Sequence, residues 1–223
     1  MDVSDESTAS GAFFVHHGTE VVPPFLAAPR NRSRAGLAAR FRPAESVQLD
    51  AEWSWLRDRM PTGEVRNGPG DIRLDVRTDV WKLQSTVFAL GWGVKWPNAA
   101  DGAELGTDET DVSAYGAVHQ RIGPFHGSVL AGIAVLGDPI RFANQDDAAL
   151  FAADASVLWG QTHWRGRVGG TLSTARNPSR ILGEVGAWWG CEARGGVSTG
   201  TGFTPAAPGW SVRAWVGLGA GCD

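Results

Sequence analysis

Few residues of this chain are spaced for chemistry. Asp50 and Glu52 lie two apart and could share one face as an acid–base pair. A salt bridge from either to Arg73 or Arg77 is the favoured alternative. His16 and His17 could offer nitrogens to a metal. Neighbours on an extended chain point to opposite faces, which makes them poor co-ligands. His119 and His126 flank a Gly123-Pro124 turn and could meet at a sheet rim, where a solvated pair is the plainer reading. Ser128 and Ser156 lack the G-x-S-x-G frame of a strained nucleophile. The run Gly195-Gly196-Val197-Ser198-Thr199-Gly200-Thr201-Gly202 shares only its glycines with a phosphate-binding loop. It lacks the Lys-Ser/Thr ending and no helical pattern follows, so a bend or weak strand is expected. Cys191 and Cys222 match no metal-ligand spacing. They are either unrelated or a disulfide, which an oxidising compartment permits. No acid, base and nucleophile assemble, so the chain is expected to be neither an enzyme nor a cofactor carrier.

The charged residues instead follow a period of two. Val47, Leu49, Ala51, Trp53 and Trp55 alternate with Gln48, Asp50, Glu52 and Ser54. Such a period marks a strand rather than a helix. Ile72, Leu74, Val76 and Val80 oppose Arg73, Asp75, Arg77 and Asp79. Phe88, Leu90, Trp92, Val94 and Trp96 oppose Ala89, Gly91, Gly93 and Lys95. The same code runs through residues 32–42, 111–122, 125–136, 151–159, 164–174, 181–189 and 210–220, and more weakly through 12–22 and 196–203. Short turns at 43–45, 82–85, 123–124, 160–162 and 192–195 alternate with longer loops at 23–31, 57–70, 97–109, 137–148, 175–179 and 204–209. That asymmetry is characteristic of a transmembrane β-barrel. The expected fold is all-β, an antiparallel up-and-down barrel of about 12 strands, or 10 if the two weak segments fail. A flexible leader over 1–10 would precede a single barrel domain over 11–223.

Composition agrees. The 223 residues are 43% hydrophobic, with Gly 30, Trp 11 and Tyr 1. Abundant Gly with abundant Trp suits curved strands whose rings mark an interface. A net charge of −4 argues against a nucleic-acid partner. No apolar run reaches the roughly 18 residues of a transmembrane helix, whereas a membrane strand needs only about ten alternating ones. Residues 1–7 are acidic and polar and do not read as the signal peptide an outer-membrane protein needs. An added Met1 on a mature form, a misplaced start, or failure of the membrane reading would each account for that.

Aromatic positions indicate which face meets lipid. Trp55, Trp96, Phe151 and Trp210 lie beside long loops, and Phe41, Phe88, Phe125, Trp159, Trp164 and Trp189 beside short turns. Two such rings a strand length apart are expected at headgroup depth. The opposite, charged face then lines a lumen. Its candidate solute-binding residues are Arg73, Arg77, Lys95, Tyr115, Arg121, Arg165 and Arg167. Mixed signs on neighbouring strands predict ion pairs. A small excess of cations favours anions, while the loop acids Asp101, Glu104, Asp108, Glu109, Asp146 and Asp147 give the outer mouth the opposite sign.

Four motifs between residues 68 and 140 resemble a known family: Gly70-Asp71-Ile72, Val94-Lys95-Trp96-Pro97, Leu105-Gly106-Thr107-Asp108-Glu109-Thr110-Asp111 and Gly137-Asp138-Pro139. The set is similar to outer-membrane proteins of the meta-pathway phenol-degradation type, regarded as transporters of aromatic compounds. Asp108 stands where that pattern has a second Gly, and the chain ends Gly-Ala-Gly-Cys-Asp rather than in an aromatic. The resemblance implies a passive channel or transporter in the bacterial outer membrane for a small, hydrophobic or aromatic solute. The partners would be outer-membrane lipid, that solute and the barrel-assembly machinery. Two other roles fit the same alternation: a plugged barrel anchoring an envelope complex, and a soluble ligand-binding barrel.

Overall fold

The structure is a computed structural model describing residues 8–20, 30–60, 62–99, 105, 110–136, 146–173, 179–190, 193–204 and 209–219. For 8–20, 30, 146 and 219 it describes the backbone alone. The described chain is all strand and turn: β1 (Thr8–Glu20), β2 (Arg30–Ala44), β3 (Val47–Arg59), β4 (Val65–Pro69), β5 (Ile72–Leu83), β6 (Thr86–Trp96), β7 (Asp111–Ile122), β8 (Phe125–Leu136), β9 (Asp146–Trp159), β10 (Thr162–Ser173), β11 (Arg180–Trp189), β12 (Ala193–Gly202) and β13 (Ser211–Gly219). Neighbouring strands pair antiparallel all the way round. β1 pairs with both β2 and β13, and β2 with β3, so the ring closes.

Twelve of the strands are staves, and β4 is an outward continuation of β5. β3 pairs with β5 through Val47–Glu52 against Thr78–Arg73, then with β4 through Trp55–Arg59 against Pro69–Val65. Among the twelve staves closure leaves no unpaired edge, which spanning lipid demands.

Both weakly patterned segments are strands. β1 starts at Thr8, inside the expected leader. β4 occupies part of the expected loop 57–70, because β3 runs on to Arg59 and gives it a ladder to join. β9 starts at Asp146, shortening the expected loop 137–148. The Gly-rich run 195–202 lies within β12. His16 and His17 occupy successive positions of β1, so their backbones face opposite sides of the sheet. Cys191 and Cys222 lie outside the described residues, as do Asp101, Glu104, Asp108 and Glu109.

The outward face is apolar. Val129, Ile133, Val185 and Val216 are each about 60% exposed or more. At the short-turn end Phe41, Trp81, Phe125, Trp159, Trp164 and Trp189 are exposed, and at the other end Trp55, Trp96 and Trp210. Two of these assignments differ from the simple alternation. A bulge between Asp79 and Trp81 inserts one residue, so Trp81 joins the outer face and stacks on Phe88 with centroids 5.4 Å apart. Phe151 does not mark a strand end: with β9 beginning at Asp146 it lies inside the strand, half-buried, opposite Ala131 and Gly170. The short turn at Gly123 has φ +57° and that at Gly160 φ +63°, a conformation glycine adopts without strain.

Candidate functional site: the bore

Two partly open spaces of about 720 and 810 Å³ lie along the bore wall. They share Asp50, Glu52, Arg73, Asp75, Ser113, Leu150, Thr171 and Arg213 among their linings, so they adjoin along the bore.

One arc of the wall, from β2 to the start of β7, is densely charged. Arg40 Nε donates to Asp50 Oδ1 at 2.7 Å, and Gln48 Nε2 donates to Asp50 Oδ2 at 2.6 Å. Arg42 in turn donates to Gln48 Oε1 from two nitrogens, at 3.3 and 3.2 Å. Arg34 lies 3.7 Å from Glu52. Lys95 lies 2.8 Å from Asp111 and 3.8 Å from Asp71. Where such pairs are partly solvated each contributes only about 0–1 kcal/mol. Their effect is to fix side chains along the wall.

Tyr115, the single tyrosine of the chain, reaches across β6. Its hydroxyl donates to Asp75 Oδ1 on β5 at 2.6 Å. Gly91 lies directly opposite Tyr115 in the ladder, and a Cβ there would collide with the ring. The glycine therefore makes the two-strand reach possible.

A tighter arrangement holds the outer mouth. Asp58 is fully buried and accepts two hydrogen bonds from Arg32, each 2.7 Å. Arg32 Nη2 also donates to the Leu105 carbonyl at 3.2 Å. Leu105 packs with Leu56 and Ala99 in a small buried cluster. Gly68 gives Leu105 room, since a Cβ there would lie 2.9 Å from Leu105 Cδ1. Leu105 is thus held over the β3–β4 hairpin.

The other arc, from mid-β7 to β11, carries fewer charges. Asp154 accepts from Ser128 Oγ at 2.5 Å and lies 3.3 Å from Arg165. Leu130, Leu150, Ala152 and Leu182 line the bore beside it. Towards the short turns, His163 stacks on Trp188 with centroids 4.9 Å apart.

Four expected binding residues line the two spaces: Arg73, Lys95, Tyr115 and Arg167. Arg77 lies 3.6 Å from Asp79 and is half-buried within the wall. Arg165 is held at Asp154, and Arg121 is exposed next to the short turn after β7. These three do not line either space. Asp50 and Glu52 are bound to arginines, as the salt-bridge reading expects. The partners are Arg40 and Arg34 of β2 rather than Arg73 or Arg77, because β2 flanks β3 on its other side. His119 and His126 do not face each other across the turn: the ladder sets His119 against Ser128 and His126 against Arg121.

Apolar outside, charged inside, ringed by aromatics at both ends and closed by hydrogen bonds: this is the arrangement of a transmembrane barrel, opposite to that of a soluble ligand-binding barrel. The chain has the fold of an outer-membrane β-barrel, with an apolar outward surface of the kind that lipid covers. It is similar to an outer membrane channel from Pseudomonas putida F1, with a TM-score of 0.68 at 10% identity over 99% of this chain and 100% of that one. It is similar to KdgM porin, with a TM-score of 0.62 at 9% identity over 94% of this chain and 98% of that one. The translocator domain of the autotransporter NalP from Neisseria meningitidis gives 0.59 at 14% identity, covering 98% and 90% of the two chains. No protein-family model and no curated protein matches the sequence.

Proposed function

We propose that the protein is a passive, non-enzymatic channel for a small solute. The observation that carries this reading is the pair of adjoining spaces within the bore, lined by charged side chains on one arc and by apolar ones on the other. A wall fixed by ion pairs can sort solutes by shape and charge without a reaction cycle. The motif resemblance adds the finer reading, a transporter of aromatic compounds inserted by the barrel-assembly machinery. The test is current across a planar bilayer holding the purified, folded protein. Stepwise conductance in KCl is expected, and a folded barrel that passes no current and no solute would contradict the channel reading.

A second reading draws on the mouth. Leu105, buried over the β3–β4 hairpin, would suit an anchoring barrel with an obstructed lumen. The same bilayer experiment separates the two, because an obstructed barrel stays silent.

A further inference from the structure

The apolar positions on the plain arc are contiguous. Register places Ala117 opposite Leu130, Leu130 opposite Ala152, Ala152 opposite Gly169 and Gly169 opposite Leu182. This is one row across the inner face of β7 to β11, spanning an arc of about 19 Å at ordinary strand spacing. Conduction of hydrated ions gives no reason for such a row. A water-filled bore would favour polar residues there, as on the charged arc.

The next row towards the short turns holds His119, Ser128, Asp154, Arg167 and Glu184. Asp154 is occupied by Ser128 and Arg165. Among the described residues no ion pair or hydrogen bond joins Arg167 to Glu184 or to any other group. Arg167 is exposed and lines the 810 Å³ space together with Leu130, Ala152 and Leu182. Arg73 lines the same space, is also exposed, and likewise has no partner among the described residues. Arg73 stands on β5, five staves from Arg167 on β10 in a ring of twelve, on the facing wall. An apolar floor thus runs up to one unpartnered guanidinium, with a second across the bore.

We infer that the bore binds an apolar monoanion, an aromatic carboxylate. Its hydrophobic body would lie on the Leu130–Leu182 row and its carboxylate would meet Arg167, with Arg73 facing it. A guanidinium matches a carboxylate bidentately, and the apolar row adds affinity that a small hydrophilic anion cannot use. This inference rests on the channel reading for its biological sense, but its test does not depend on current.

Benzoate binding is measured by equilibrium dialysis against the full chain in lipid nanodiscs, with empty nanodiscs as the blank. Acetate lacks the apolar body and benzamide lacks the charge. Saturable benzoate binding is expected, with acetate and benzamide each weaker by about tenfold or more. Arg167→Gln and Leu182→Asn are each expected to weaken benzoate about tenfold, while Arg167→Lys, which keeps the charge and loses the planar fork, falls between Arg167→Gln and the parent. Arg66→Gln, on the β3–β4 hairpin, is expected to change nothing. Heat-shifted electrophoretic migration checks that each variant is folded. Absence of saturable binding by the folded protein would overturn the inference, as would acetate or benzamide binding as well as benzoate, or an Arg167→Gln variant that binds normally. KCl current is recorded separately. A conducting barrel that ignores benzoate sinks the inference alone, and a silent barrel that binds benzoate sinks the channel reading alone.

Discussion

The two arcs of the bore wall are built on one backbone plan and do different things. From β2 to the start of β7 most inward positions are polar and, Arg73 apart, largely bound to one another: Arg40 with Asp50, Arg34 with Glu52, Lys95 with Asp111, Tyr115 with Asp75. From mid-β7 to β11 they include Leu130, Ala152 and Leu182, which bind nothing polar. The outer face does not share this difference, since Leu49 and Trp92 behind the charged arc are as exposed to lipid as Val118 and Val185 behind the plain one. Lipid therefore dictates the outward half of the alternation everywhere. The inward half is free to differ, and the difference separates a wall that holds its own shape from one that offers a surface.

If that division is right, substitutions should act on different observables in the two arcs. The largest effect is expected at the mouth end of the charged arc. Asp58→Ala removes both carboxylate hydrogen bonds from the buried Arg32 and should cost about 3–5 kcal/mol of unfolding free energy in a urea titration in lipid. Outside the plain arc, Val129→Arg places a cation in the lipid-facing strand centre and should cost about 2–4 kcal/mol in the same titration. Tyr115→Phe deletes one hydrogen bond to a carboxylate and should cost about 1.5–3 kcal/mol. Leu130→Ser, on the plain arc's inner side, should cost under about 1 kcal/mol while altering single-channel conductance. A Leu130→Ser variant as damaged as Asp58→Ala would mean that the plain arc is packed core rather than open surface.

Much of the architecture was legible because a period of two is visible in single residues. Gln48, Asp50, Glu52 and Ser54 announce one face of β3, and Val47 to Trp55 the other. What the alternation hides is wherever one residue is added. The bulge at Val80 turns Trp81 outward, and nothing in Asp79-Val80-Trp81 signals it. Turn-forming residues concealed β4, since Asn67-Gly68-Pro69 reads as a loop until β3 supplies a partner. The mouth lay beyond sequence reasoning for another reason: Arg32 and Asp58 are 26 residues apart, and Arg32 and Leu105 73 apart. Among the candidate binding residues, Arg73, Lys95, Tyr115 and Arg167 were assigned to the bore side by face alone, and they line the two spaces. Arg121 shares that face but lies too near its turn to reach either space. The plain arc was missed because Leu130, Leu150 and Leu182 sit on the polar side of their strands, where an apolar residue looks like noise in the pattern. Only the register shows that Leu130 and Leu182 fall in one row with Ala152.

Adjacent residues of one strand face lipid on one side and the bore on the other. Single cysteines at Val129 and Leu130, in a background with Cys191 and Cys222 changed to serine, test it on neighbouring positions of β8. The protein is reconstituted in liposomes and exposed to a small, charged, membrane-impermeant thiol reagent. Leu130→Cys should react quickly and Val129→Cys should be protected. The reverse pattern, or protection of both in the folded barrel, would contradict the account.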